Sequence, residues 1–124
     1  MKKIINFVLI YFWMHLIYFL SAQPDLKSEL QPVWDLIFRK IAHGAEFFVL
    51  AYLVFNAFKG IGLGIKRSLF VAFIFAIGYA GFDEWHQSFV LGRVGSIMDV
   101  GIDALGIIAF IVLQLIQKKR DTKH

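Results

Sequence analysis

The sequence predicts an all-α, polytopic membrane protein, a four-transmembrane-helix bundle forming a single domain over residues 1–124. Hydrophobic residues make up 59% of the chain and its mean hydropathy is +0.68, which is too apolar for a soluble domain. Four mostly apolar runs of about 20 residues each follow one another, and that is the length a helix needs to cross a bilayer. The basic residues gather at the ends of these runs on one side, as topology signals do. That placement makes the net charge of +4 a membrane signal, so no nucleic-acid partner is expected. The aromatic content of 17%, with 14 Phe, suits a surface in contact with lipid. Cysteine is absent, which excludes disulfides, thiolate metal sites and cysteine nucleophiles.

The first helix is expected over residues 4–22, after Lys2 and Lys3. A basic start, an apolar core and a small-residue end also describe a signal peptide. The run from Ile4 to Leu20 is longer than such a core, however, and Leu20 stands where a small residue is required, so a retained helix is expected. His15 within it reads as a tolerated core or interface histidine. Residues 23–35, QPDLKSELQPVWD, form the one long polar connection, and Pro32 suits the first turn of the next helix. Helix two is expected over 33–58. Residues 59–67, KGIGLGIKR, lack the strand and the spacing of a phosphate-binding loop and read as an interhelical turn. Helix three is expected over 68–89, with Ala76, Gly78, Ala80 and Gly81 thinning its outer half for close contact. Helix four is expected over 96–117, with Ser96 as its N-cap and a basic tail behind it.

Four alternating spans put Lys2, Lys3, Lys59, Lys66, Arg67, Lys118, Lys119, Arg120 and Lys123 on one side. By the positive-inside rule that side is the cytoplasm of a cell membrane, with both termini in it. The acidic residues Asp25, Glu29, Asp35, Glu46, Asp83, Glu84, Asp99 and Asp103 fall toward the other side.

Ionisable groups at membrane depth are costly and are usually paired, turned inward and tied to function. Lys40, His43 and Glu46 share one face of helix two within about 120° of arc. Glu46 lies roughly 20 Å along the helix from Pro32 and so requires a polar partner, expected from another helix or from the Arg93 loop. Asp83 and Gln87 are one turn apart on helix three, with Glu84 beside them. Arg93 stands in the outer turn, and Asp99 and Asp103 lie one turn apart on helix four, where Gly106 continues their stripe. Lys40, His43, Glu46, Asp83, Glu84, Gln87, Arg93, Asp99 and Asp103 are therefore expected to form one polar site that opens outward.

At these residues the chain resembles the VanZ-like family of small bacterial membrane proteins, known from glycopeptide (teicoplanin) resistance. The resemblance rests on R-K-x-A-H-x-x-E at Arg39–Glu46 and D-E-x-x-Q-x-F at Asp83–Phe89. Gly92-Arg93 and D-x-x-x-D-x-x-G at Asp99–Gly106 follow in order. Leu91 departs from the proline the family often carries there. What the resemblance implies is a four-helix envelope protein tied to cell-wall antibiotics.

Three kinds of function fit these residues. One is binding or modification of a lipid-linked cell-wall precursor, with Lys40 and Arg93 on phosphate or carboxylate oxygens and the acidic residues and Gln87 on hydroxyl or amide groups. Another is a membrane-embedded hydrolase or transferase acting on a lipid or phosphate headgroup, with His43 or His86 as general base. The third is a structural or partner-binding role in the envelope, in which buried charges specify helix packing. Ion or proton translocation is disfavoured, because no ionisable residue lies in the inner half of any span. His43, Asp83, Glu84 and Asp99 have the chemistry to bind a divalent metal, but no H-E-x-x-H spacing supports it, and no cofactor is expected.

Overall fold

A computed structural model describes residues 2–21, 32–87 and 97–122 of the chain. They form four helices: α1 (Lys2–Ser21), α2 (Pro32–Gly60), α3 (Ile65–Gln87) and α4 (Ile97–Thr122). No strand occurs among the described residues. The largest difference from the sequence expectation is at the end of α4, which continues through Lys118, Lys119 and Arg120 to Thr122. Apolar periodicity ends near residue 117, but backbone hydrogen bonding does not need apolar side chains. Basic residues in a last turn also complement the helix dipole.

The short connection between α2 and α3 follows from its glycines. Leu63 N–H donates to the Phe58 carbonyl at 3.2 Å, and Gly62 N–H donates to that of Lys59 at 3.1 Å. With Gly62 at φ +95°, this is the Schellman arrangement, in which a left-handed glycine closes a helix. Gly64, at φ +82°, then accepts from Ser68 N–H and starts α3 three residues before the expected boundary.

Helix α2 is the centre of the bundle. It packs against all three other helices, most extensively against α4, while α1 and α4 do not touch among the described residues. The rings of Phe7 and Phe58 meet edge-on at 5.5 Å, so α1 begins where α2 ends. Lys59, Ile65 and Lys118 line one small cleft, which places the C-terminal ends of α2 and α4 beside the start of α3. The helices α2 and α4 therefore run parallel, with α1 and α3 antiparallel to them, and Lys59, Lys66, Arg67 and Lys118 gather at one end.

Each helix buries one narrow stripe. On α2 it includes Phe47, Leu50, Val54 and Ala57; on α3, Leu69, Ala72, Ala76 and Ala80; on α4, Ile107 and Phe110; on α1, Ile10 and Ile17. The small residues that bring α3 close are thus the alanines. Gly78 and Gly81 face outward, with open space where a Cβ would stand. Large apolar side chains elsewhere are exposed, Ile4 at 68%, Phe70 at 66% and Leu105 at 66%, whereas Asp83 is 2% exposed and Asp103 1%. An apolar exterior around buried carboxylates is the reverse of a soluble protein and fits a bundle bathed in lipid.

Among the described residues, three helices are long and apolar enough to cross a membrane, over Ile41–Gly60, Ile65–His86 and Val100–Arg120, and the apolar part of α1, Lys3–Phe19, is shorter.

Candidate functional site

The polar groups sit where the core stripes reach the end of the bundle away from the lysines. On α3 the stripe Ala72, Ala76, Ala80 continues to Asp83, and on α4 the stripe of Phe110 and Ile107 begins at Asp103. His43 stands one turn before Phe47 on α2. Each therefore occupies a core position in which an apolar residue would otherwise stand. The approach of α2 to α4 is set by two glycines: a Cβ on Gly106 would collide with the Gly44 carbonyl. That contact places His43, next to Gly44, opposite Asp103, one turn before Gly106.

His43 is the hub. Its Nε2 lies 3.3 Å from Asp83 Oδ2 and 3.3 Å from Asp103 Oδ1, and its Nδ1 lies 3.3 Å from Glu46 Oε2. Three helices are joined through one imidazole. The His43 side chain is 12% exposed and that of Glu46 15%, so the group is nearly closed from solvent. Phe47 packs against the His43 ring at 5.7 Å and against Tyr79 at 6.2 Å, flooring the site on its inner side. Past that floor, Ser68 is the one buried polar residue among those described. His43, Asp83 and Asp103 all lie in the halves of α2, α3 and α4 that are away from Lys59, Lys66 and Lys118.

The other expected members are placed as follows. Glu84 is half-buried beside Asp83 and engaged in an interaction of its own. Arg93 and Ser96 lie outside the described residues, as do the side chains of Lys40, Gln87 and Asp99. Among the described residues Glu46 faces His43 of the same helix, three residues back, while the Arg93 loop, the other expected source of a partner, lies outside them. His86 is turned toward α1, its ring stacked on Tyr18 at 4.3 Å. His15 is on the exposed side of α1, edge-on to Tyr11.

Two residues that bind α1 to the site were missed from the sequence. Trp13 Nε1–H donates to the Glu46 carbonyl at 2.9 Å, and the Tyr79 hydroxyl donates to the Met14 carbonyl at 2.7 Å. The available signal was their polar tips in otherwise apolar spans, since such groups need a partner away from water.

Chemically, two carboxylates around an imidazole nitrogen, with a third behind it, can hold an ammonium, accept hydrogen bonds from hydroxyls, or ligate a cation. His43, Asp83 and Asp103 each offer a ligand atom, all within 4.8 Å of one another.

A protein-family model described as VanZ/LLP1 matches residues 2–118. No curated protein and no solved structure matches the chain.

Proposed function

The chain belongs to the VanZ/LLP1 family, and from that premise we propose that its polar site binds the headgroup of a lipid-linked cell-envelope component. The observation that carries this reading is the convergence of His43, Glu46, Asp83 and Asp103 from three helices at one end of the bundle. In this reading that end of the bundle lies where a lipid headgroup meets the hydrocarbon edge. A ligand would reach these buried groups from that end of the bundle, away from the apolar interior beyond Phe47. In this reading the basic end faces the cytoplasm, with both termini there, α1 is a fourth span, and the site opens outward. Lys40, Glu84, Gln87, Arg93 and Asp99 complete its mouth, with the two cations pairing phosphate or carboxylate oxygens. Whether the bound component is also modified there is a question for the same residues, with His43 as the candidate base.

The family's tie to glycopeptide resistance gives a cellular test. Cells expressing the wild-type chain are expected to tolerate teicoplanin better than cells without it, and His43→Gln at equal membrane abundance is expected to remove the difference. Equal protection by that variant, or none by the wild type, would refute the reading.

A structural role is favoured by a different aspect of the same network. It cross-links α2, α3 and α4 within the core, as a device specifying helix packing would. In that case the site variants lose stability, and protection falls only in proportion to the amount of folded protein.

A further inference from the structure

The geometry points to a divalent-cation site formed by His43 Nε2, Asp83 and Asp103, with Glu46 orienting the imidazole from behind. One ligand atom from each of the three residues lies within 4.8 Å of the others, and Nε2 is 3.3 Å from an oxygen of each aspartate. An ion bonded tetrahedrally at about 2.0 Å holds neighbouring ligands about 3.3 Å apart. The two distances from Nε2 match such a shell, and the two aspartate oxygens lie within 4.8 Å of each other.

The direction of the imidazole gives a second, independent observation. Nε2 is buried, yet it makes a hydrogen bond with neither aspartate, although both oxygens are close. A ring nitrogen aimed between two carboxylates suits a lone pair shared with a cation better than an N–H given to one oxygen. The opposite nitrogen, Nδ1, faces Glu46 Oε2 at 3.3 Å. With an ion bound, a carboxylate behind the ring would hold the proton on Nδ1 and leave Nε2 as the ligand, the usual outer support of a metal-bound histidine.

The donor set favours the same conclusion. One nitrogen and two carboxylate oxygens, with no thiolate, suit Zn²⁺ or Mn²⁺ rather than a thiophilic ion. Three protein ligands leave a further position open, as catalytic sites do, and a phosphate or carboxylate oxygen can enter it.

This assignment stands on the geometry alone and does not depend on the lipid reading. Its test uses the full chain, purified in detergent without a polyhistidine tag, stripped with chelator and then exposed to Zn²⁺ or Mn²⁺. Mass-spectrometric metal analysis is expected to find about one ion per chain, and X-ray absorption an imidazole nitrogen with carboxylate oxygens around it. Adding the ion should raise the melting temperature of the stripped wild-type protein, a readout that needs no variant to fold. His43→Gln and Asp103→Asn should lose the ion, and Glu46→Gln, which keeps all three ligands, should bind it about 10–100-fold more weakly. Failure of both ions to bind stoichiometrically, binding without an imidazole, or unchanged binding by His43→Gln would overturn the site. An ion bound by a protein that retains no particular lipid would leave this site standing and remove the headgroup reading, and lipid-selective binding by an ion-free protein would do the reverse.

Discussion

Gly106 of α4 lies against the Gly44 carbonyl of α2 so closely that neither helix could keep its position if a Cβ were added at Gly106. Residue 43 and residue 103 flank that contact, so the glycine crossing also fixes the distance from His43 to Asp103. Gly106→Ala is therefore expected to lower stability by about 1–3 kcal/mol, the usual cost of overpacking, and to loosen the site with it. Gly44→Ala meets the Ile102 carbonyl at 3.4 Å and should be milder. Gly101→Ala has open space and should be neutral or stabilising by up to about 1 kcal/mol through helix propensity. Melting in detergent should rank the three in that order, and a Gly106→Ala protein as stable as wild type would show that the crossing is looser than described.

Attachment of α1 rests on two side-chain donors as well as on packing. Trp13→Phe removes the bond to the Glu46 carbonyl, and Tyr79→Phe removes the bond to that of Met14. Tyr79→Phe keeps the ring and is expected to cost about 0.5–1.5 kcal/mol, and Trp13→Phe, which also shrinks the indole to a phenyl ring, somewhat more through lost packing. Limited proteolysis should then release α1 before the remaining helices. If both variants protect α1 as well as wild type does, apolar packing through Ile10 and Ile17 holds it without them.

Much of this was legible in the sequence, because apolar runs, basic clusters and turn glycines act locally. The four helices and the Gly62–Gly64 turn follow from these signals. The polar convergence was also readable, since Glu46, Asp83 and Asp103 in apolar spans demand inward placement. Rotation and contact were harder to read. Of the small residues Ala76, Gly78, Ala80 and Gly81 that suggested the thin face of α3, the two alanines lie on it with Ala72 and the two glycines do not. Small residues on several faces look alike until the partner helix is known. The pairing of Glu46 with His43 depends on rotamers, and the bonds of Trp13 and Tyr79 to distant carbonyls depend on how α1 docks. Of these, only the shared face of His43 and Glu46, three residues apart, shows in residue spacing.

The alanine stripe gives its own prediction. Ala76→Leu and Ala80→Leu insert bulk at buried positions between helices and should each destabilise by about 1–3 kcal/mol or more. Ala80→Leu, one turn before Asp83, should also displace the carboxylate from His43. Gly81→Leu points outward into open space and should change melting little. Equal effects at Ala80 and Gly81 would contradict the orientation of α3.

Orientation is testable separately. Reporter domains fused after residue 29 and after residue 124 are expected on opposite faces of the membrane, the second with the lysine-rich end in the cytoplasm. Both reporters on one face would contradict four alternating spans.

The central claim is that the His43 cluster recognises an envelope-lipid headgroup, and the most direct measurement is of the lipids the protein retains. Wild-type protein, Phe70→Leu as a control at an exposed position in the half of α3 away from the cluster, and an Asp83→Asn, Arg93→Gln double variant would be extracted from the same cells at equal folded amounts. Co-purifying lipids would then be identified by mass spectrometry. The wild type and the control should retain the same phosphate-bearing, lipid-linked species above its bulk abundance, and the double variant should not. A wild-type lipid profile that matches the bulk membrane, or a double variant that keeps the enrichment, would contradict the claim.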